Sequence, residues 1–204
     1  MEHLSTIIVG VFGVIGTSWA AWLTYNQRTK DKMTDFKIQQ LRRDTKEQSA
    51  TNNRHIAIVH GVMWELLLKL DADRCFIIQP HPEHKNLFLS VALEVDKKGI
   101  SGVKDIFQSV PISDMANFTK KMATEVWMYF DDVSGQVEDR KAQSLMYLAG
   151  STQICIRQLI DAKGSWVGSL VVENISMRDY DREQAKETIS SAANTIQFIL
   201  PPIN

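Results

Sequence analysis

Two cysteines and five histidines are the side chains best suited to chemistry in this sequence. Cys75 and Cys155 each lie inside an apolar run, RCFIIQ and TQICIRQLID. There a free thiol behaves as a small hydrophobe, and desolvation raises its pKa instead of generating a thiolate. They read as reduced core thiols of a cytosolic domain. His81-Pro82-Glu83-His84 gathers two imidazoles and a carboxylate. The proline makes this a loop, and no further ligand stands at metal-site spacing, so it reads as an exposed polar segment with no metal expected. His60 falls between apolar positions of a helix and reads as a polar flank residue. No Gly-rich phosphate loop, nucleophile elbow or paired-carboxylate motif occurs, so no catalytic residue and no enzymatic activity are expected.

The elements that would position these residues follow from periodicity. Ile56, Val59, Val62, Met63, Leu66, Leu67 and Leu70 recur at steps of three and four, the signature of a helix with one apolar face, closed by Asp71-Ala72-Asp73. A strand is expected over Arg74 to Gln79, stopped by Pro80 and Pro82, and a second over Leu87 to Val95, the two forming an antiparallel hairpin with a wide loop. Met115, Phe118, Met122, Val126 and Tyr129 or Phe130 suggest one helix after Pro111, with Asp114 as a cap. Val137 to Ala149 suggests a shorter one, and Asp131 to Gly135 a loop between them. Thr152 to Asp161 and Trp166 to Glu173 form the clearest hairpin, around Ala162-Lys163-Gly164-Ser165. A final helix is expected from Asp179 to Leu200, with Ala185, Ile189, Ala192, Ala193, Ile196 and Ile199 on one stripe and Pro201-Pro202 ending it.

Ahead of this domain, Leu4 to Tyr25 contains no charged residue. About 22 residues at about 1.5 Å each make a helix long enough for a bilayer core of about 30 Å. Residues 1–25 are therefore expected to be a single transmembrane anchor. Arg28, Lys30, Lys32, Lys37, Arg42 and Arg43 follow it and none precedes it, which directs the N-terminus outward and the following domain to the cytoplasmic side of the inner or cell membrane. A cleaved signal peptide competes, since Ser18-Trp19-Ala20 offers small residues at cleavage spacing. The basic n-region is missing, however, the apolar run is long, and Trp19, Trp22 and Tyr25 suit an interface. Residues 26–54 are polar, lack Gly and Pro, and read as a helical juxtamembrane linker without a sustained heptad. Gly13 and Thr17, and Gly16 and Ala20, form small-x-x-x-small pairs that permit close helix approach in lipid.

Residues 55–204 suffice for one domain with a core of its own. A formal net charge of -1 with interspersed signs gives no footprint for nucleic acid, and the basic cluster sits where lipid headgroups would lie. The lipid bilayer is thus the first expected partner.

The order helix, strand, strand, helical middle, strand hairpin, helix resembles a GAF domain. The resemblance rests on Ala72-Asp73-Arg74-Cys75-Phe76-Ile77-Ile78, on Gly150-Ser151-Thr152-Gln153-Ile154-Cys155-Ile156, and on Gly164-Ser165-Trp166-Val167-Gly168-Ser169-Leu170-Val171-Val172-Glu173. In the last segment, Gly168 would allow a close strand approach. PAS-like sensor folds share the outline. The resemblance implies an α+β fold: an antiparallel sheet flanked by helices, with a small-molecule pocket on one face and homodimerisation through the first and last helices. It implies a sensory or regulatory role, with a small-molecule ligand as input and output through an unidentified protein.

The specific chemistries of such domains find little support. The segment Gly99 to Gly150 has neither Cys nor His for bilin attachment, and the Asn-Lys-x-Asp-x-Glu motif of cyclic-nucleotide-binding members is absent. The methionine sulfoxide reductase type would need Cys75 and Cys155 as attacking and resolving thiols, and its cysteine spacing is not reproduced. Ligand contacts, if any, are expected at Arg157, Trp127, Tyr147 and Trp166. Arg157 could hold an anion bidentately, or be a solvent-facing strand residue, and Trp127 and Tyr147 suit a core or a dimer interface better than a pocket wall. The competing function is a non-sensing membrane scaffold, or an accessory lysis-type protein of a bacterium or phage, whose soluble domain only assembles. A pocket lined by convergent polar groups would favour the sensor. A sheet face filled with bulky side chains would favour the scaffold.

Overall fold

A computed structural model describes residues 42–43, 45–82, 85–178 and 181–203. The expected transmembrane run and most of the linker lie outside the described residues. Among the described residues no helix is long and apolar enough to cross a membrane. The chain divides into two compact units after Thr51, where the sequence places the domain boundary at His55. In the first unit residues 45–51 are helical.

The second unit opens with α1, residues 52–69, whose apolar stripe drives its packing: Val59, Met63, Leu66 and Leu67 are fully buried or nearly so. Its last turn closes through Asp71, at φ 50°. Strands β1 (Arg74–His81) and β2 (Phe88–Asp96) then pair antiparallel, as the sequence indicates. Strand β1 runs through Pro80 to His81, beyond the expected stop. Its pairing with β6 ends at Ile78, so Pro80 lies where only β2 is a neighbour and a missing N–H leaves no ladder bond unmade on the other side.

The middle departs from the expected helix. A short β3 (Val110–Pro111) leads through a 3-10 turn, Ile112–Met115, into α2 (Ala116–Thr124), and Trp127–Phe130 is strand β4 rather than a helical continuation. Asp114 makes no capping bond and lies inside the 3-10 turn. Asp132 instead caps the single-turn α3 (Val133–Gln136), accepting from Ser134 N at 3.0 Å. Helix α4 (Arg140–Leu148) starts on Asp139, which accepts from Lys141 N and Ala142 N.

Strands β5 (Gln153–Ile160) and β6 (Trp166–Asn174) form the expected hairpin. Asp161 accepts from Lys163 N and Ser165 N, both at 2.8 Å, and Gly164 takes φ 79° to close the turn. Helix α5 (Arg182–Ile196) starts at its cap Asp181 and buries Ala185, Ile189, Ala192, Ala193 and Ile196.

The six strands form one antiparallel sheet in the order β3-β2-β1-β6-β5-β4. Alternation sends Cys75, Ile77, Leu159, Leu170 and Val172 to one face, beneath α1 and α5. Phe76, Ile78, Ile154, Ile156 and Val171 go to the other, beneath the 97–109 segment, α2 and α4. Gly168 crosses β1 closely: a Cβ there would lie 2.7 Å from the Ile78 carbonyl oxygen. The fold is thus α+β, an antiparallel sheet with helices on both faces.

Candidate functional site

The face away from α1 and α5 is where a ligand would lie, between the sheet and a roof made of two pieces. One piece is the segment 97–109. Glu94 fixes it by accepting from Val103 N and from Lys104 N, the latter at 3.1 Å, and Phe107 O accepts from Val91 N at 2.9 Å. The other piece is α4 and its exit. Gly150, at φ 70°, lets the chain turn so that Gly150 N donates to Tyr147 O and Ser151 N to Met146 O, a helix end that only a residue tolerant of positive φ makes readily. This closure points the Ala149 carbonyl and the Ser151 side chain at the sheet.

Between roof and sheet the space is nearly filled. A cavity of about 20 Å³ remains, bounded by Phe76, Ile78, Val103, Phe107, Met146 and Ile154, with Ser151 and Glu173 at its polar end. That is room for about one water-sized molecule. Met115, Phe118 and Met122 complete the packing on the same side.

A buried ionic cluster closes one end of this space. Arg74 and Glu173 are register partners on β1 and β6, and the Arg74 Nε faces the Glu173 carboxylate. Nη1 donates to Ser101 O at 2.8 Å and Nη2 to Ala149 O at 2.7 Å, while Ser151 Oγ donates to Glu173 Oε2 at 2.8 Å. Burial pushes the Glu173 carboxyl up, to about 7, against the opposing pull of Arg74 and Ser151. Beside them Asp96 is raised to about 6, by burial first and by Glu94 next, with Arg74 acting in the opposite direction. Sequence reasoning treated Arg74 and Glu173 only as strand ends. The available signal was one charge opening RCFIIQ and its opposite closing WVGSLVVE, two strands that register then brings together.

None of the four residues expected to contact a ligand lines this cavity. Trp127 and Arg157 do come together, as register partners on β4 and β5 with the guanidinium 5.3 Å from the indole centroid, but they lie on the face that carries α1 and α5. Arg157 Nη1 donates to Val126 O at 3.1 Å, and partial burial lowers its pKa. Tyr147 is 78% exposed on α4. Trp166 packs on the margin of the roofed core and donates to Ser169 Oγ at 3.2 Å.

The thiols are held apart. Cys75 and Cys155 both register with Val172 from opposite sides of β6, so a strand separates them by about two strand spacings, beyond disulfide reach. Burial pushes the Cys75 thiol far up and Cys155 to about 12. His81 contacts Ser90 Oγ at 2.8 Å and stacks on Phe88, while Glu83 and His84 lie outside the described residues. Among the described residues no cluster of His, Cys, Asp and Glu could hold a metal ion.

With this geometry in place, the chain can be set against known proteins. No protein-family model and no curated protein matches the sequence. Solved structures do. A far-red cyanobacteriochrome photoreceptor superposes with TM-score 0.59 at 13% identity, covering 80% of this chain and 94% of that one. The photoproduct state of a GAF domain from Synechocystis gives 0.57 at 12%, covering 69% and 89%. A domain of a putative two-component sensor histidine kinase from Sinorhizobium meliloti gives 0.53 at 9%, covering 69% and 87%. At these identities the likeness establishes the fold, which is GAF-like.

Proposed function

We propose that this chain is a membrane-tethered regulatory module of GAF-like fold that acts on the cytoplasmic side by pairing with a second copy and contacting an output protein. The observation that carries this reading is the contrast between the two faces of the domain. The roofed side is filled, with about 20 Å³ to spare. The helical side leaves Ile58, Trp64 and Leu68 exposed on α1, while the groove of about 430 Å³ between α1 and α5 is mixed in character, with Val62, Leu66 and Ala192 set among Glu65, Lys69 and Glu187. Apolar side chains grouped this way on a helix suit a protein partner better than water.

The filled sheet face also supports the scaffold reading, in which the domain assembles and senses nothing. Leu68→Cys with Cys155→Ser in the full chain tests the pairing, because Cys75 is buried and an oxidant would then cross-link only position 68. A covalent dimer in native membranes supports the proposal, and a chain that stays monomeric overturns it. Native mass spectrometry of the chain purified from its own cells separates the two readings: a retained small molecule shows a sensor, and a bare dimer insensitive to a metabolite panel leaves a scaffold.

A further inference from the structure

We propose that Arg74 is the catch of the two-piece roof: one guanidinium holds both the 97–109 segment and the α4 exit down on the sheet, and its release parts them while the α1 and α5 layer stays folded.

The argument rests on where its bonds go. Nε faces Glu173 on the sheet, Nη1 donates to Ser101 O in the first roof piece, and Nη2 donates to Ala149 O at the end of the second. Three parts of the chain far apart in sequence thus meet on one side chain that is 1% exposed. A planar fork does this where a lysine would not, since an ammonium has no fixed pair of donors to span two carbonyls. At the α4 exit, Ser151 Oγ adds a single bond to the same Glu173, and the rest of α4 meets the sheet through the apolar side chains Ala142, Leu145 and Met146. The first piece has further ties, at Lys97 to Asp71 and Asp73 before Ser101 and through Glu94 and Val91 after it, so loss of Arg74 frees the 98–102 stretch between them first.

Below the catch lies the apolar face of Phe76, Ile78, Ile154, Ile156 and Val171. Parting the roof would open a site for an apolar small molecule there, with Glu173 and Ser151 as the polar groups at its end. The α1 and α5 layer is built on the opposite face from different side chains, so it has no bond to lose when the catch opens.

Hydrogen exchange on the full chain, read by mass spectrometry for wild type, Arg74→Lys, Arg74→Met and Ser151→Ala, tests the catch. In Arg74→Lys, which keeps the charge beside Glu173, amides in 98–102 and 146–151 are expected to exchange at least about tenfold faster, with 59–67 and 185–196 unchanged. Ser151→Ala is expected to speed 146–151 alone. If Arg74→Met does not fold, the other two variants decide. Unchanged roof exchange in Arg74→Lys overturns the proposal, and so does an equal acceleration of roof and helices, which would make Arg74 a general stability residue.

Discussion

Arg74 and Glu173 face each other across β1 and β6 as register partners, their charged groups in contact and each side chain only 1% exposed. Two opposite charges at this depth have given up their hydration, which costs several kcal/mol for each ion, and mutual attraction offsets that only when the remaining donors and acceptors are also used. Here Ser101 O, Ala149 O and Ser151 Oγ use them. Removing either partner would leave the other as a buried uncompensated charge.

Arg74→Ala is therefore expected to destabilise the domain by about 3–5 kcal/mol, which for a domain of this size lowers the melting temperature by roughly 10 °C. Combining it with Glu173→Gln should restore part of the loss, because no unpaired anion remains. Thermal denaturation of the single and double variants checks this, and strictly additive losses would count against coupling.

Asp96 gives the stability a pH dependence of definite sign. Its carboxyl holds its proton more tightly in the folded state, with a pKa of about 6 against an ordinary 3.8, from burial first and Glu94 second. Between these values the folded state binds more protons than the unfolded one, so this group makes stability fall as pH rises from about 4 to about 6 and is without effect above that. In Asp96→Asn that component of the slope should disappear. Urea midpoints at pH 4, 5, 6 and 7.5 for both proteins test it, and parallel curves would reject the shift.

How much of this was readable beforehand depended on the length of the pattern. The α1 stripe from Ile56 to Leu70 and the hairpin around Gly164 were legible because several residues repeat a period and a turn signal bounds them. Strand β4 was not. Its four residues, Trp127–Phe130, are too short to show alternation, and Val126 and Tyr129 happen to continue the spacing of α2. The Arg74 and Glu173 cluster was invisible for a different reason: its members are 99 positions apart, and only the register of β1 on β6 brings them together. Trp127 and Arg157 show the limit from the other side. Their residue types suggested a ligand, yet strand parity, which fixes the face, set them beneath the helical layer.

Gly168 is expected to be intolerant of any side chain. A Cβ would stand 2.7 Å from the Ile78 carbonyl, which is backbone and cannot rotate away as a side chain would. Gly168→Ala should cost about 1–3 kcal/mol by forcing β6 from β1, with Gly61→Ala, where nothing lies within 4 Å, as the neutral or stabilising control. Chemical denaturation of the pair decides it: equal midpoints would show that the strand crossing relaxes at no cost.

Cys75 and Cys155 should resist alkylation at pH 8 in the folded protein and react in denaturant. Burial raises both thiols, Cys155 to about 12, so thiolate is scarce at both, and access is closed at Cys75 and restricted at Cys155. Iodoacetamide labelling with and without urea measures this. Rapid labelling of either thiol in the native chain would reopen a redox role.

Arg157 is the sharpest separation of a ligand contact from a structural one. Its guanidinium lies 5.3 Å from the Trp127 ring and Nη1 donates to Val126 O, so it ties β5 to the start of β4 without any ligand. Arg157→Ala should then cost roughly 1–2 kcal/mol through lost packing and the lost charged hydrogen bond. If it also held an anion, inorganic phosphate would raise the wild-type melting temperature more than that of the variant. The Trp127 contact, the bond to Val126 O and the face on which Arg157 lies lead to the opposite expectation: the two titrations run parallel, offset by the structural loss alone.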